Sequence, residues 1–461
     1  MYLETSNEFM SMDPNGTHII ANGKVYRAFN ALQTREFAEP LLNSGLIEEL
    51  IRRELLIPTK KSEKRLDGYS LLLEQELLEP VTLPFEWSFS MLQDCALAFL
   101  ELSETAVRYG YYLKDAHPYN FVWKDGKPLW VDFGSFEKID REFGGFFALD
   151  EFVRYFYKPL CLWKMYGPFF SRQVLSDAND FGRSALLKIF HPGFWFLPRK
   201  VFEILAKFEK AYYRLAGIRD VELRGKSQLV NCAARLAKRF ILPSETRIHA
   251  VWKTKIVGLR AEREYSRWEN YHDEMSSPEC DPRFNQVVEL LRKYSCRSVL
   301  ELAGNAGKLA CLISARLGIS VICSDYDVGA VEKLYQRVRA DRMLKVTPVC
   351  MDILYPILFP GFPGPQKRLS AEAVIALAVT HHLLLSQHIR IADMFRRIGS
   401  FAKKYVLIEF MPLGFYDGTN AAPVPEWYRR DWFREEFQKQ FELLEEIVLE
   451  KNRILFVGKI Q

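Results

Sequence analysis

Hydrophobic and polar positions change rhythm twice along this chain. From about residue 295 onward, short apolar or β-branched runs recur ("SVLEL", "SVICSD", "VTPVC", "AEAVIALAV", "YVLIEF", "ILFVGKI"), most of them followed by apolar positions at three- and four-residue steps. Strands alternating with helices predict a doubly wound parallel sheet. The beginning of the chain reads differently. "HIIANGKVYRAF" sets an Asn-Gly pair between two short apolar runs, the signature of a hairpin, and helical spacing follows in "SGLIEELIRREL". A longer helix is predicted through Met91, Leu92, Cys95, Ala98 and Leu102, ending before Gly110.

Between residues 146 and 245 the apolar positions become aromatic, in "FFALDEFVRYFYKPLCLWKMYGPFF" and "RKVFEILAKFEKAYYRLAG". Stripes of this kind at helical spacing are read as core packing. The pattern therefore divides the chain into an α+β region over 1–245, a helical linker or lid over 246–290, and the doubly wound domain over 291–461. Trp268 and Tyr271, three residues apart in "SRWENYHDE", are candidates for an aromatic lid.

Composition narrows the picture without redirecting it. The chain is 49% hydrophobic and 26% charged, which fits folded domains, and 461 residues exceed one ordinary core. Its 63 basic against 58 acidic residues leave a net charge of +5, too small an excess to predict a nucleic-acid partner. The 8 cysteines include no CxxC pair, and "MYLETSNEFM" lacks the basic-then-apolar order of a secretion signal, so a reducing cytoplasm is expected, without disulfides or structural zinc. The most apolar run is interrupted by His381 and His382 and falls short of the ~20 residues of a membrane helix.

Ligands of open α/β sheets bind beyond the carboxyl ends of the strands. After the first strand comes "ELAGNAG", where Ala303, Gly304, Ala306 and Gly307 let backbone approach a ligand; after the second comes Asp325, 18 residues past Gly307, placed to accept ribose hydroxyls. No GxGxxG is present, and Glu301 would repel a phosphate at that turn. A ribose joined to a cationic amino acid suits the pattern better. Here the domain resembles the class I S-adenosylmethionine-dependent methyltransferases, whose first motif is acidic-x-Gly-x-Gly-x-Gly. Glu301, Ala303, Asn305 and Gly307 stand at those places, Ala and Asn being departures. The resemblance implies S-adenosylmethionine as cofactor, Glu301 as the acid that orders the methionine ammonium, Asp325 as the ribose acid, Tyr326 beside the adenine and Asp352 near its amino group. After the fourth strand, His382, or its neighbour His381, is the candidate base for an acceptor hydroxyl.

A second constellation lies in "LKDAHPYNFVWKDGKPLWVDFGSF". Asp115, Asn120 and Asp132 follow the order of a phosphotransferase base and two magnesium ligands, in a region similar to a kinase fragment. No Gly-rich phosphate loop precedes them, and Lys24 is a weak stand-in for the nucleotide lysine. The N-terminal region is therefore expected to be a degenerate kinase-like module. A magnesium-ATP phosphotransferase and a nucleotide sensor without turnover are the alternative readings. Nearly the whole chain, from "GKVYR" to "ALAVTHHLLLSQ", resembles the NoeA-type nodulation proteins and related methyltransferase-like bacterial proteins. That resemblance implies a methyltransferase, possessing a host-specific nodulation role in that branch, whose acceptor is an unidentified small molecule, saccharide or protein.

Overall fold

The computed structural model describes residues 15–139, 146–177, 183–191, 193, 198–217, 247–261, 281–416, 419–420 and 422–461. The chain divides into two compact units. The first comprises Met1–Glu79, Met91–Lys124 and Pro128–Glu262, and the second Pro80–Ser90, Asp125–Lys127 and Arg263–Gln461.

In the first unit, β1 (Thr17–Ala21) and β2 (Lys24–Phe29) form the expected hairpin. Its turn places Asn22 at φ 52° and Gly23 at φ 69°, the left-handed pair that matches strand twist. With β3 (Thr59–Lys61) and β4 (Leu71–Glu76) they build a sheet of order β1-β2-β4-β3. The helix Phe89–Arg108 follows, then the short strands β5 (Tyr111–Leu113), β6 (Phe121–Lys124), β7 (Lys127–Trp130) and β8 (Phe136–Lys138). Aromatic packing fills the interior: Phe99 meets Trp130, Phe146, Phe152 and Phe156 at ring-centroid distances of 5.5–6.1 Å. The aromatic stripes are only partly core. Phe169 and Phe170 on the helix Pro168–Leu175, and Phe208 on the helix Arg199–Gly217, are exposed.

The second unit holds a seven-stranded sheet: β9 (Ser298–Leu302), β10 (Ser320–Asp325), β11 (Val346–Cys350), β12 (Ala371–Ala376), β13 (Ala402–Phe410), β14 (Phe441–Glu450) and β15 (Arg453–Ile460). Their order is β11-β10-β9-β12-β13-β15-β14. The first five are parallel, as the alternation of strand and helix predicts, but β15 runs antiparallel to both β13 and β14. The sheet is thus mixed, not all parallel. Its last two strands come as a hairpin, which needs no crossover helix. β14 carries four glutamates and apolar residues at helical steps, so its sequence hides its conformation.

Side-chain alternation along the strands feeds two cores. Leu300, Leu302, Ile322 and Val374 pack on one face; Val299, Val321, Cys323 and Ile375 pack on the other. Chain order reverses between β9 and β12, so the loops after them diverge and open a crevice at the carboxyl edge. A buried ion pair helps to hold Pro80–Ser90 in this unit. Arg368 Nη2 lies 2.5 Å from Glu86 Oε1, both side chains about 5% exposed or less, and Arg368 also donates to Val81 O at 2.7 Å. Among the described residues no helix is long and apolar enough to cross a membrane.

Candidate functional site

The turn after β9 is unusual in where it puts its glycines. Ala303 at φ 53° and Asn305 at φ 52° take left-handed conformations that cost an L-residue about 1–2 kcal/mol, while Gly304 does not. Gly304 is required for space instead: a Cβ there would stand 2.5 Å from Cys323 Sγ and 2.8 Å from Glu301 Cδ. Asn305 offsets part of its strain by accepting from Ala306 N at 2.7 Å through Oδ1. Gly304 N donates to Ser324 O at 3.0 Å, which ties the turn to the end of β10.

Around this turn lies a cavity of about 620 Å³ at the carboxyl edge, a size typical of small-molecule sites. Glu301, Ala303, Gly304, Asn305, Asp325, Tyr326, Asp352, His381 and His382 all line it; Gly307 does not, its place being the left-handed N-cap of the helix Lys308–Leu317. Asp325 accepts Asn305 N and Asp327 N, each at 2.8 Å. These bonds, with a weaker one from the Tyr326 backbone, fix its orientation and leave part of the roughly four lone-pair directions of the carboxylate open. Burial nevertheless outweighs them and pushes its pKa up to about 6. Glu301 sits on the core side of β9, where burial pushes it up to about 8 and its Oε2 has no partner. Tyr326 is 60% exposed at the rim, and Asp352 holds Leu354 N and Tyr355 N through Oδ1 at 2.7 and 3.0 Å.

The opposite wall descends from β12. Ala378, at φ 50°, is held by Glu409 of β13, whose Oε2 accepts Ala378 N at 2.8 Å and Arg453 Nη1 at 2.7 Å. Thr380 Oγ1 donates to Glu409 O at 2.6 Å. This fully buried glutamate fixes the loop that carries His381 and His382, whose rings lie 4.1 Å apart. Burial drives His381 down to about 3, with His382 and Arg453 adding to the effect, and leaves its Nδ1 unpartnered. A histidine so weakly basic stays neutral at ordinary pH and serves as a hydrogen-bonding group, not a proton store.

Sequence reasoning missed Arg283, Phe284, Gln387 and Arg453, which also line the cavity. Asp281 before Pro282 does signal a helix start, and Asp281 caps Arg283 N at 2.9 Å, but no pattern brings that helix to the turn. Arg453 arrives through the β14–β15 hairpin, which the sequence conceals. The lid candidates Trp268 and Tyr271 lie outside the described residues.

In the first unit, Asp132 and Asn120 come together, but not as open metal ligands. Arg27 Nη1 sits 3.0 Å from Asp132 Oδ1, which also accepts Gly134 N at 2.9 Å, while Asn120 Nδ2 faces Oδ2 at 3.4 Å. The Arg27 guanidinium thus faces the carboxylate that the magnesium reading gives to a metal. Asp115 meets Ser135 through its backbone, and Lys24 pairs with Glu74 at 2.6 Å. Among the described residues no group of three His, Cys, Asp or Glu side chains is gathered to hold a metal ion.

The second unit is thus a mixed Rossmann-like α/β fold whose switch-point cavity is lined by two buried carboxylates. The chain is similar to the nodulation protein NoeA of Rhizobium meliloti (strain 1021), 23% identical over 413 residues, which cover 87% of this chain and 83% of that protein. No family model matches it. Among solved structures it is similar to magnesium protoporphyrin IX methyltransferase from Synechocystis PCC 6803 with bound SAM, at 13% identity and a TM-score of 0.30 over 43% of this chain and 87% of that one. A SAM-dependent methyltransferase from Aquifex aeolicus matches at 14% identity and a TM-score of 0.33, over 43% of this chain and the whole of that one.

Proposed function

We infer that the second unit is a methyltransferase that uses S-adenosylmethionine. The observation that carries this reading is Glu301: a buried carboxylate with an unpartnered oxygen, under a turn with no room for a Cβ, beside Asp325 at the switch point. A pyrophosphate cofactor would meet two acids there. A ligand presenting an ammonium and a ribose would satisfy both, and the similarity to NoeA over most of the chain is compatible with it. When bound, this cofactor supplies a sulfonium methyl group for transfer.

In this reading Asp325 accepts the ribose hydroxyls on lone pairs left over from Asn305 N and Asp327 N, Tyr326 flanks the adenine, and Asp352 accepts from its amino group. Glu301 accepts the ammonium. Ala303, Gly304 and Asn305 shape the turn against the methionine part. Loss of a proton from the acceptor falls to His382, since His381 is too weakly basic; Glu409 keeps both histidines in place. Orientation of the two reactants supplies most of the acceleration. The acceptor belongs to no class fixed by the Rossmann-like fold, and a nodulation signal is one of the acceptors to assay.

Calorimetric titration with S-adenosylmethionine tests the reading. Binding by the wild-type chain that falls about a hundredfold or more in Asp325→Ala, the loss of a pair of charged hydrogen bonds, is the expected result. Absence of wild-type binding would overturn it.

A further inference from the structure

Beyond the histidines lies a second, smaller cavity of about 270 Å³, walled by Leu384, Leu385, Phe415, Val424, Pro425 and Trp427. Among the described residues that line it there is no Asp, Glu, Lys or Arg, and His388 stands at its exposed rim. It is joined to the main cavity by shared elements. The turn His382–Ser386 contributes His382 to one and Leu384 and Leu385 to the other, and the Phe415 ring stands 5.0 Å from both His381 and His382.

The wall is built in place. Asn452, buried in the β14–β15 connection, accepts Leu413 N at 2.6 Å and donates to Gly414 O at 3.2 Å, clamping the backbone beside Phe415. Gly414 is at φ 57°, and a Cβ there would come within 2.9 Å of Leu385 Cδ1 and 3.0 Å of Val424 Cγ1. Backbone therefore lies directly against two of the cavity's aliphatic walls.

We propose that this cavity is the apolar half of the acceptor site: it takes an uncharged hydrocarbon part of the acceptor, while the methyl-accepting atom lies beside His382. The proposal rests on the methyltransferase reading and adds the chemical class of acceptor. At about 30 Å³ for each water-sized group, the volume holds roughly nine non-hydrogen atoms. A freely polar acceptor such as an unsubstituted sugar would leave its hydroxyls unpaired against Leu384, Leu385 and Val424.

The test uses 1-octanol, an alcohol of that size, titrated calorimetrically into the full chain saturated with S-adenosylhomocysteine. Val424→Trp fills the cavity from within, and Ala422→Trp fills it from an exposed position that does not threaten folding. Wild type binds octanol, and each variant loses about tenfold or more of that affinity while binding S-adenosylhomocysteine as before. Equal octanol affinity in wild type and both variants, or no octanol binding by wild type, overturns the proposal. Octanol binding that survives without any S-adenosylhomocysteine binding would instead sink the methyltransferase reading, and the acceptor role with it.

Discussion

Glu301 binds a proton that the unfolded chain releases. Its pKa is pushed up to about 8 in the folded chain, from an ordinary 4.5, mainly by burial. Between these values the folded state holds more protons than the unfolded one, so this residue's contribution to stability is complete below pH 4.5 and is lost as pH rises through about 8. Glu301→Gln removes that dependence: the variant's denaturation midpoint should vary less between pH 5 and pH 8 than that of wild type. A cationic ligand group at Oε2 favours the ionised form. Cofactor binding at about pH 7 should therefore release up to about one proton, measurable as a binding enthalpy that changes with the buffer's ionisation enthalpy in wild type and much less in Glu301→Gln. Gly304→Ala forces a methyl group toward Cys323 and Glu301, a clash expected to cost about 1–3 kcal/mol. Urea denaturation of the variant checks it, and cofactor affinity should fall as well. The acids and the turn were legible in the sequence because they are local. The motif's spacing also marked the left-handed positions, since Ala303, Asn305 and Gly307 stand at its glycine places and all take positive φ; the crowding that demands Gly304 was not legible, because it comes from Cys323 on the next strand and from Glu301.

At the scale of elements, strand-helix alternation made β9 through β13 readable, and Asn22-Gly23 marked the first hairpin. The β14–β15 hairpin was half visible. β15 is apolar and buried, whereas two glutamates of β14 are held by side chains from other elements. Glu445 accepts from Tyr294 Oη at 2.6 Å, and Glu446 pairs with Arg430 and with Arg434, the latter at 2.5 Å. Arg453 and Asn452, which fix Glu409 and the Phe415 loop, were hidden by the same concealment. Nor does sequence announce that Pro80–Ser90 packs with residues nearly three hundred positions later. Glu86→Gln leaves Arg368 buried beside a neutral amide, and should lower the stability of the second unit by about 3 kcal/mol or more. Denaturant unfolding followed by the tryptophan signal tests that figure.

At the scale of the molecule, two compact units need not melt as one. Scanning calorimetry should resolve more than one component, and S-adenosylhomocysteine at ~100 times its Kd should stabilise the component containing the second unit by about 2.7 kcal/mol, leaving the other where it was. A shift of both components would mean that the units unfold together. The boundaries proposed from pattern, with a linker at 246–290, can be tested by limited proteolysis: resistant fragments that end within that range would support them, and fragments that run through it would not.

β14 ends the seven-stranded sheet, so among the described residues one side of its backbone has no strand beside it. Such an edge is a template on which another copy of the chain could extend the sheet, and copies crowded during synthesis would meet it often. Charged side chains on such an edge discourage the encounter, and Glu442 and Glu450 are both exposed on this strand. The same charges that disguise this strand as a helix in the sequence thus guard its open edge.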